Sequence, residues 1–225
     1  MEELRNLNDL DRGIHKRWIW GTKDNYFRSC DYLQKINYSI QDLNAENKNL
    51  STPSMKDVIF VIALVDWICE AVKSIQEILL QDVLSGFIYK EDERVKKAGK
   101  YFKAIRSFVV AHPLNTSRHK DYGLDGDLIC VDVRRKISPI VSTYSKNTDW
   151  FFLGIDGFQE NAKNVSADFV LRGYSQKIDR SQFSKFIGAN FSDLYYVAKL
   201  QIEKLYALGK YLGKLRKKDI GWVNE

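Results

Sequence analysis

The sequence has few of the residues that hold small disulfide or zinc proteins together. Its three cysteines, Cys30, Cys69 and Cys130, are widely separated and form no C-x-x-C pair. An odd, scattered set of this kind predicts neither a disulfide framework nor a zinc site. We expect the cysteines to be small core residues of a protein in a reducing compartment, and we expect no metal and no cofactor.

Proline and glycine are also sparse, with three and 13 copies. This argues against a loop-rich chain or a many-stranded sandwich and favours helices. The longest apolar run, VIFVIALV, covers residues 58–65 only, whereas a membrane span needs about 20 apolar residues. The N-terminus is charged and lacks the apolar segment of a secretory signal. We therefore expect a cytoplasmic protein with no membrane contact.

Apolar residues and positive charge are plentiful. The 225 residues are 44% hydrophobic and 13% aromatic, which is enough for a single domain with a sizeable core. The formal net charge is +6. A basic balance suits an anionic partner such as RNA, although many proteins without such a partner are equally basic.

Hydrophobic periodicity predicts a mainly α fold. One helix follows Gly21, a second runs from about residue 53 to 84, and a third begins near Glu91. Helix is expected to return after Asp179, where Gln182 completes a capping box, and to continue as a long final helix. Residues 1–120 and 181–225 would then form one helical bundle.

Residues 121–180 have a different character. Three short segments, 128–133, 149–155 and 167–174, are rich in β-branched and aromatic residues and are separated by turn formers. They predict a small antiparallel β insertion between the helices.

The third predicted helix carries a narrow apolar seam that ends in a histidine. Proline disfavours the α conformation in the residue before it, and Pro113 follows His112 directly. We expect His112 at the helix boundary, with its imidazole leaning out of the seam. The same helix of a second subunit could complete the seam. Its members recur alternately three and four residues apart: Val95, Ala98, Phe102, Ile105, Val109 and His112.

Arg106 lies six residues before His112 and flanks the seam, about 120° away around the helix axis. An arginine is long enough to reach back towards a phosphate shared with the histidine. Histidine exchanges protons near neutral pH, and arginine offers a fork of donors to phosphate oxygens. The two residue types suit phosphodiester cleavage without a metal when RNA supplies its own 2′-hydroxyl. The alternative is structural: the histidine interacts with the last helix carbonyls, and the arginine pairs with an acid.

The stretch AIRSFVVAHP resembles the R-x(4–6)-H signature of HEPN domains, and its AHP ending is similar to that of abortive-infection and toxin-type members. The resemblance implies a HEPN-like bundle of four to six helices and a metal-independent endoribonuclease. Arg106 and His112 would be its catalytic pair, and the pairs of a homodimer would line one cleft. It further implies a toxin–antitoxin or antiphage role, RNA as substrate, and an antitoxin or another regulatory protein as partner.

The residue after the arginine is often Asn, Asp or His in active members, and here it is Ser107. A catalytically inactive HEPN-like module that binds RNA, a nucleotide or a protein therefore stays open, as does a plain helical interaction protein. Polar and basic residues after the pair suit phosphate and base contacts, or form an ordinary exposed loop. The expected substrate-binding residues are Ser107, Asn115, Ser117, Arg118, His119 and Lys120.

Two groups of acidic residues admit two interpretations each. Asp66 and Glu70 interrupt the most apolar helix, so they either form a polar edge or face a cation. Asp125, Asp127 and Asp132 could hold a divalent cation, but Asp-Gly pairs are also ordinary turn chemistry.

The final helix ends in a cluster of cations. Cations near a helix C-terminus interact favourably with its dipole, so capping is the expected role and RNA contact is the alternative. The cluster consists of Lys214, Arg216, Lys217 and Lys218.

Overall fold

The computed structural model describes residues 1–111, 127–132, 149–160, 167–175 and 185–220. Within these ranges the chain is mainly helical, as predicted, with a sheet between the fourth and fifth helices. The α-helices are α1 (Lys23–Glu46), α2 (Met55–Ile78), α3 (Gln81–Leu84), α4 (Asp92–Arg106) and α5 (Phe191–Lys214).

The sheet has five described strands, in the order β1-β4-β5-β2-β3. Neighbouring strands run antiparallel except for β2 and β5, which are parallel. The sheet is therefore mixed, whereas an antiparallel one was expected. The strands are β1 (Asp127–Asp132), β2 (Asp149–Gly154), β3 (Gly157–Glu160), β4 (Phe169–Ser175) and β5 (Lys185–Ala189).

Three of the strands, β1, β2 and β4, coincide with the three segments predicted from composition. The expectation that the chain is already helical after residue 179 is wrong for β5, which pairs with β2 on one side and β4 on the other. Five residues are too few for hydrophobic periodicity to distinguish a strand from a helix. The segment is a strand because it pairs with β2 and β4. The predicted capping box at Asp179 and Gln182 lies outside the described residues.

The chain divides into two compact units. The first, here the helical unit, consists of residues 1–47, 64–95 and 196–225. The second, here the sheet unit, consists of residues 48–63 and 96–195. Each unit combines segments that are distant in the sequence.

In the helical unit, α1 begins where the sequence predicts. The hydroxyl of Thr22 accepts a hydrogen bond from the backbone N–H of Asn25 at 3.1 Å, which caps the helix. The predicted apolar face is buried at Leu33, Ile36, Ile40 and Leu43.

The predicted helix from residue 53 to 84 is divided into α2 and α3. The side chain of Asn25 donates to the carbonyl of Ile78 at 3.3 Å, and Leu80 donates its N–H to Ile19 at 3.1 Å. These bonds to the N-terminal region replace helical ones at the break. Leu79 and Val83 are both buried, so the apolar pattern continues across the break and does not reveal it.

The structure shows the exposure of Asp66 and Glu70, the two acidic residues in the apolar part of α2. Glu70 is exposed, as a polar edge requires, and Asp66 is half-buried.

Among the described helices, none combines the length and the hydrophobicity of a membrane-spanning segment.

The N-terminal segment packs against the last turns of α5. A Cβ atom on Gly13 would overlap the backbone nitrogen of Gly213, so the two backbones touch. Beside this contact, the ammonium of Lys16 donates to the carbonyls of Leu212 and Gly213 at 2.8 Å and to that of Leu215 at 2.9 Å. The C-terminus of α5 is therefore capped by Lys16, a residue that the sequence did not suggest for this role.

Candidate active site at the end of α4

The charges of α4 follow its dipole. Asp92 and Glu93 lie in its first turn, and Lys103 and Arg106 lie in its last turn. Arg106 is the final α-helical residue and is half-buried. The helix thus places the predicted catalytic arginine at its C-terminal end, in the sheet unit.

The seam of α4 is buried within the single chain. Five of its six members are at most 6% exposed: Val95, Ala98, Phe102, Ile105 and Val109. The expectation that a second subunit completes the seam is therefore wrong. Periodicity shows which face of a helix is buried, but it does not show whether the covering residues belong to the same chain.

After Arg106 the helix changes its hydrogen-bonding pattern. Residues Ser107–Ala111 form a π-helical turn, with bonds from residue i to i+5. The sequence gives a reason: Pro113 has no N–H, so the carbonyl of Val109 lacks its α-helical donor, and the residue before proline avoids the α conformation. Such turns are rare and are frequently found at functional sites. The α-helix therefore stops before His112, where the sequence predicted that it would reach this residue.

Ser107, the first residue of the π turn, is only 8% exposed. Its hydroxyl has no hydrogen-bond partner in the described part of the chain. Leaving a buried hydroxyl unpaired costs about 1–3 kcal/mol, so such groups are rare. The side chain of Ser107, which the sequence suggests as a substrate contact, is thus turned away from solvent in this structure.

Most of the other predicted site residues lie outside the described residues. These are His112, Asn115, Ser117, Arg118, His119 and Lys120. The structure brings together Arg106, the π turn that leads to His112, and β1, which lies beside that turn. In the described sheet β1 is an edge strand, so the predicted β insertion reaches the candidate site with its first strand.

A group of three carboxylates in the sheet unit was not predicted from the sequence. Asp168 accepts a hydrogen bond at 2.9 Å from the N–H of Phe191, the first residue of α5. Burial, together with the charges of Asp168 and Asp156, raises the pKa of Asp193 to about 6, against a smaller lowering by the nearby hydroxyl of Tyr101. Asp168 directly precedes β4, Asp156 lies in the turn between β2 and β3, and Tyr101 and Asp193 lie on α4 and α5. No local pattern in the sequence links them.

The metal alternative does not fit the strand that carries two of its ligands. Asp127 and Asp132 are the first and last residues of β1. Five steps of extended chain separate their backbones by about 16 Å, which is too far for their carboxylates to reach a common ion. They cannot share one ion. Among the described residues, no group of three or more His, Cys, Asp or Glu side chains is arranged to hold a metal.

Comparison with protein-family models, with curated proteins and with solved structures returns no match to this chain.

Proposed function

We propose that this protein is a metal-independent endoribonuclease of HEPN type, with Arg106 and His112 as its catalytic pair. The observation that supports this most is the change from α-helix to π turn directly after Arg106. It places a half-buried arginine at the end of a helix whose apolar face is packed, and it leads the chain into the A-H-P sequence. A rigid element of this kind holds a guanidinium in a fixed position.

The chemistry needs only the two side chains and the RNA. The neutral imidazole of His112 takes the proton of the 2′-hydroxyl, and the 2′-oxygen attacks the adjacent phosphorus. The bond from phosphorus to the 5′-oxygen breaks, and that oxygen receives the proton from the imidazolium of His112, which returns to its neutral form. Arg106 donates hydrogen bonds to the phosphate oxygens as their negative charge grows. The products are a 2′,3′-cyclic phosphate and a 5′-hydroxyl.

In this proposal the enzyme acts in the cytoplasm as a homodimer, in a toxin–antitoxin or antiphage setting. Because the seam of α4 is buried in one chain, the dimer would use another surface. Light scattering coupled to gel filtration measures the subunit number, and a monomer at all concentrations would remove the dimer from the proposal. An antitoxin or another regulatory protein would bind near the edge strand β1, which lies beside the π turn.

The test is cleavage of total RNA by the purified protein in the presence of a chelator. Replacing the proton-transfer group in His112→Ala is expected to slow cleavage by about 10²–10⁴. Removing the guanidinium in Arg106→Ala is expected to slow it by about 10²–10³. His15 and Arg28 are exposed residues of the helical unit, so His15→Ala and Arg28→Ala are matched controls and should cleave like the wild type. Cleavage that needs a metal, or that survives in both site variants, contradicts the proposal.

A catalytically inactive HEPN-like module that binds RNA, a nucleotide or a protein is the second candidate. It is favoured by Ser107, which stands where active HEPN members often have Asn, Asp or His and whose hydroxyl is buried. This candidate predicts RNA binding by wild-type protein, no cleavage under any condition, and a weaker complex for Arg106→Ala.

A further inference from the structure

The fold brings cations from the two ends of the chain onto one side of the helical unit. Residues 11–17 and 209–220 contain eight of the 35 lysines and arginines but only two of the 29 acidic residues. The net charge of the whole chain, +6, therefore equals that of these two short segments. We call their exposed cations the basic patch: Arg12, Arg17, Lys210, Lys214, Arg216, Lys217 and Lys218.

Packing between the two segments fixes the arrangement of the patch. A Cβ on Gly209 would lie 3.1 Å from the side chain of Leu10, and one on Gly213 would collide with the side chain of Asp11 at 2.6 Å. Both glycines thus face the N-terminal segment. Lys210 and Lys214 each follow one of these glycines, so they flank that segment, about 6 Å apart along the helix axis.

The end of α5 already has a capping cation that is not part of the patch. The ammonium of Lys16 already satisfies three carbonyls at the end of α5, at 2.8–2.9 Å. The two acids of the segments are engaged with the backbone: Asp11 accepts from the N–H of Gly13, and Asp219 accepts from the N–H of Arg216. An exposed excess of like charge disfavours the compact state through repulsion. The concentration of positive charge in the basic patch therefore points to an anionic partner.

We infer that the basic patch binds the phosphate backbone of RNA, independently of base sequence. RNA is named as the polyanion on the basis of the proposed function; the patch itself rests on the charges and packing of the helical unit. A membrane surface fits less well, because membrane-binding faces combine cations with exposed large apolar side chains. Neither segment contributes one to the exposed large hydrophobic residues of the described chain.

The test measures binding of a labelled oligouridylate of about 20 nucleotides, longer than typical single-strand site sizes. His112→Ala is the background, so that cleavage does not interfere. The patch variant combines Lys210→Gln, Lys214→Gln and Lys218→Gln. The control variant makes the same charge change at three exposed lysines of the helical unit: Lys23→Gln, Lys73→Gln and Lys90→Gln.

The patch variant is expected to bind at least tenfold more weakly than its background, while the control stays within about twofold. Each lost phosphate contact lowers the slope of log affinity against log salt by about 0.7, so we expect a decrease of about 2 for the patch variant only. Its melting temperature should be unchanged or higher, because repulsion is removed. If these three substitutions unfold the chain, Arg12→Gln with Arg17→Gln tests the same surface.

Equal losses in the patch and control variants would overturn the inference, because they would show an effect of net charge alone. Unchanged binding in the patch variant, or tighter binding to phosphatidylserine vesicles than to RNA, would also overturn it. The two proposals fail separately. If patch-dependent binding is found without chelator-resistant cleavage, the proposed function is wrong; if cleavage is found without any effect of the patch, the inference is wrong.

Discussion

Asp193 shows how a single partly buried carboxyl makes the stability of the sheet unit depend on pH. Its pKa is raised from 3.8 to about 6 by burial first and then by the charges of Asp168 and Asp156. Between these two pKa values the folded chain binds more protons at this site than the unfolded chain does. The contribution of Asp193 to stability is therefore most favourable near pH 4 and is lost as the pH rises through 6.

Asp193→Asn is accordingly expected to stabilise the protein at neutral pH. Because the side chain is only partly buried, the solvent-screened gain in unfolding free energy at pH 7 is about 1–2 kcal/mol. The gain should shrink towards about pH 4, where the wild-type carboxyl is already protonated in the folded state. Urea unfolding at both pH values measures this. Asp42→Asn, at an exposed position of α1, is the control, and a loss of stability at pH 7 in Asp193→Asn would contradict the explanation.

Ser107 gives a second prediction at this scale. Its buried hydroxyl has no partner among the described residues, so Ser107→Ala removes a polar atom without breaking a hydrogen bond. We expect the unfolding free energy to rise by about 0.5–1.5 kcal/mol and the rate of RNA cleavage to stay unchanged. Calorimetry measures the change in stability, and a cleavage assay measures the rate. A slower cleavage at unchanged stability would show that the hydroxyl contacts the substrate, as the sequence alone suggested.

At the level of elements, replacement of glycine by alanine is predicted to have opposite effects on the unfolding free energy at two helical positions. A Cβ on Gly213 of α5 collides with Asp11, whereas one on Gly99 of α4 meets nothing within 4 Å. Gly213→Ala is expected to lower the unfolding free energy by about 1–3 kcal/mol through overpacking. Gly99→Ala should raise it by up to about 1 kcal/mol through helix propensity.

Chemical denaturation of both variants is the measurement. Equal effects of the two substitutions would show that the N-terminal segment does not pack against α5 as described.

The sequence was sufficient to predict the elements with strong local signals. The apolar positions of α1 and α4 recur at helical spacing, and three strands stand out by composition. The sequence could not show features that depend on contacts with residues far away in the chain. The break between α2 and α3 depends on Ile19 and Asn25, and β5 is a strand because two other strands pair with it.

The same limit applies to the candidate site. A disturbance of the helix next to Pro113 followed from the sequence, but the end of α4 at Arg106 did not, because the helix was expected to reach His112. The burial of Ser107 and the raised pKa of Asp193 did not follow from the sequence either. Each depends on side chains that come together only in the tertiary structure.

At the scale of the whole molecule, the chain separates two kinds of chemistry. The sheet unit holds Arg106, the π turn and the carboxylates around Asp193. The helical unit holds the basic patch, and the two segments that carry the patch have the same net charge, +6, as the whole chain. A nuclease needs both a reactive pair and a means of holding a polyanion, and phosphate contacts usually supply most of the affinity without regard to sequence.

We propose that Arg106 and His112 cut RNA through its own 2′-hydroxyl. Mass spectrometry of the 3′ ends of RNA fragments made with a chelator present tests this chemistry. We expect 2′,3′-cyclic phosphate ends from the wild-type protein and none above background from His112→Ala. Fragments that carry 3′-hydroxyl ends, or cyclic phosphates formed equally by the variant, would contradict it.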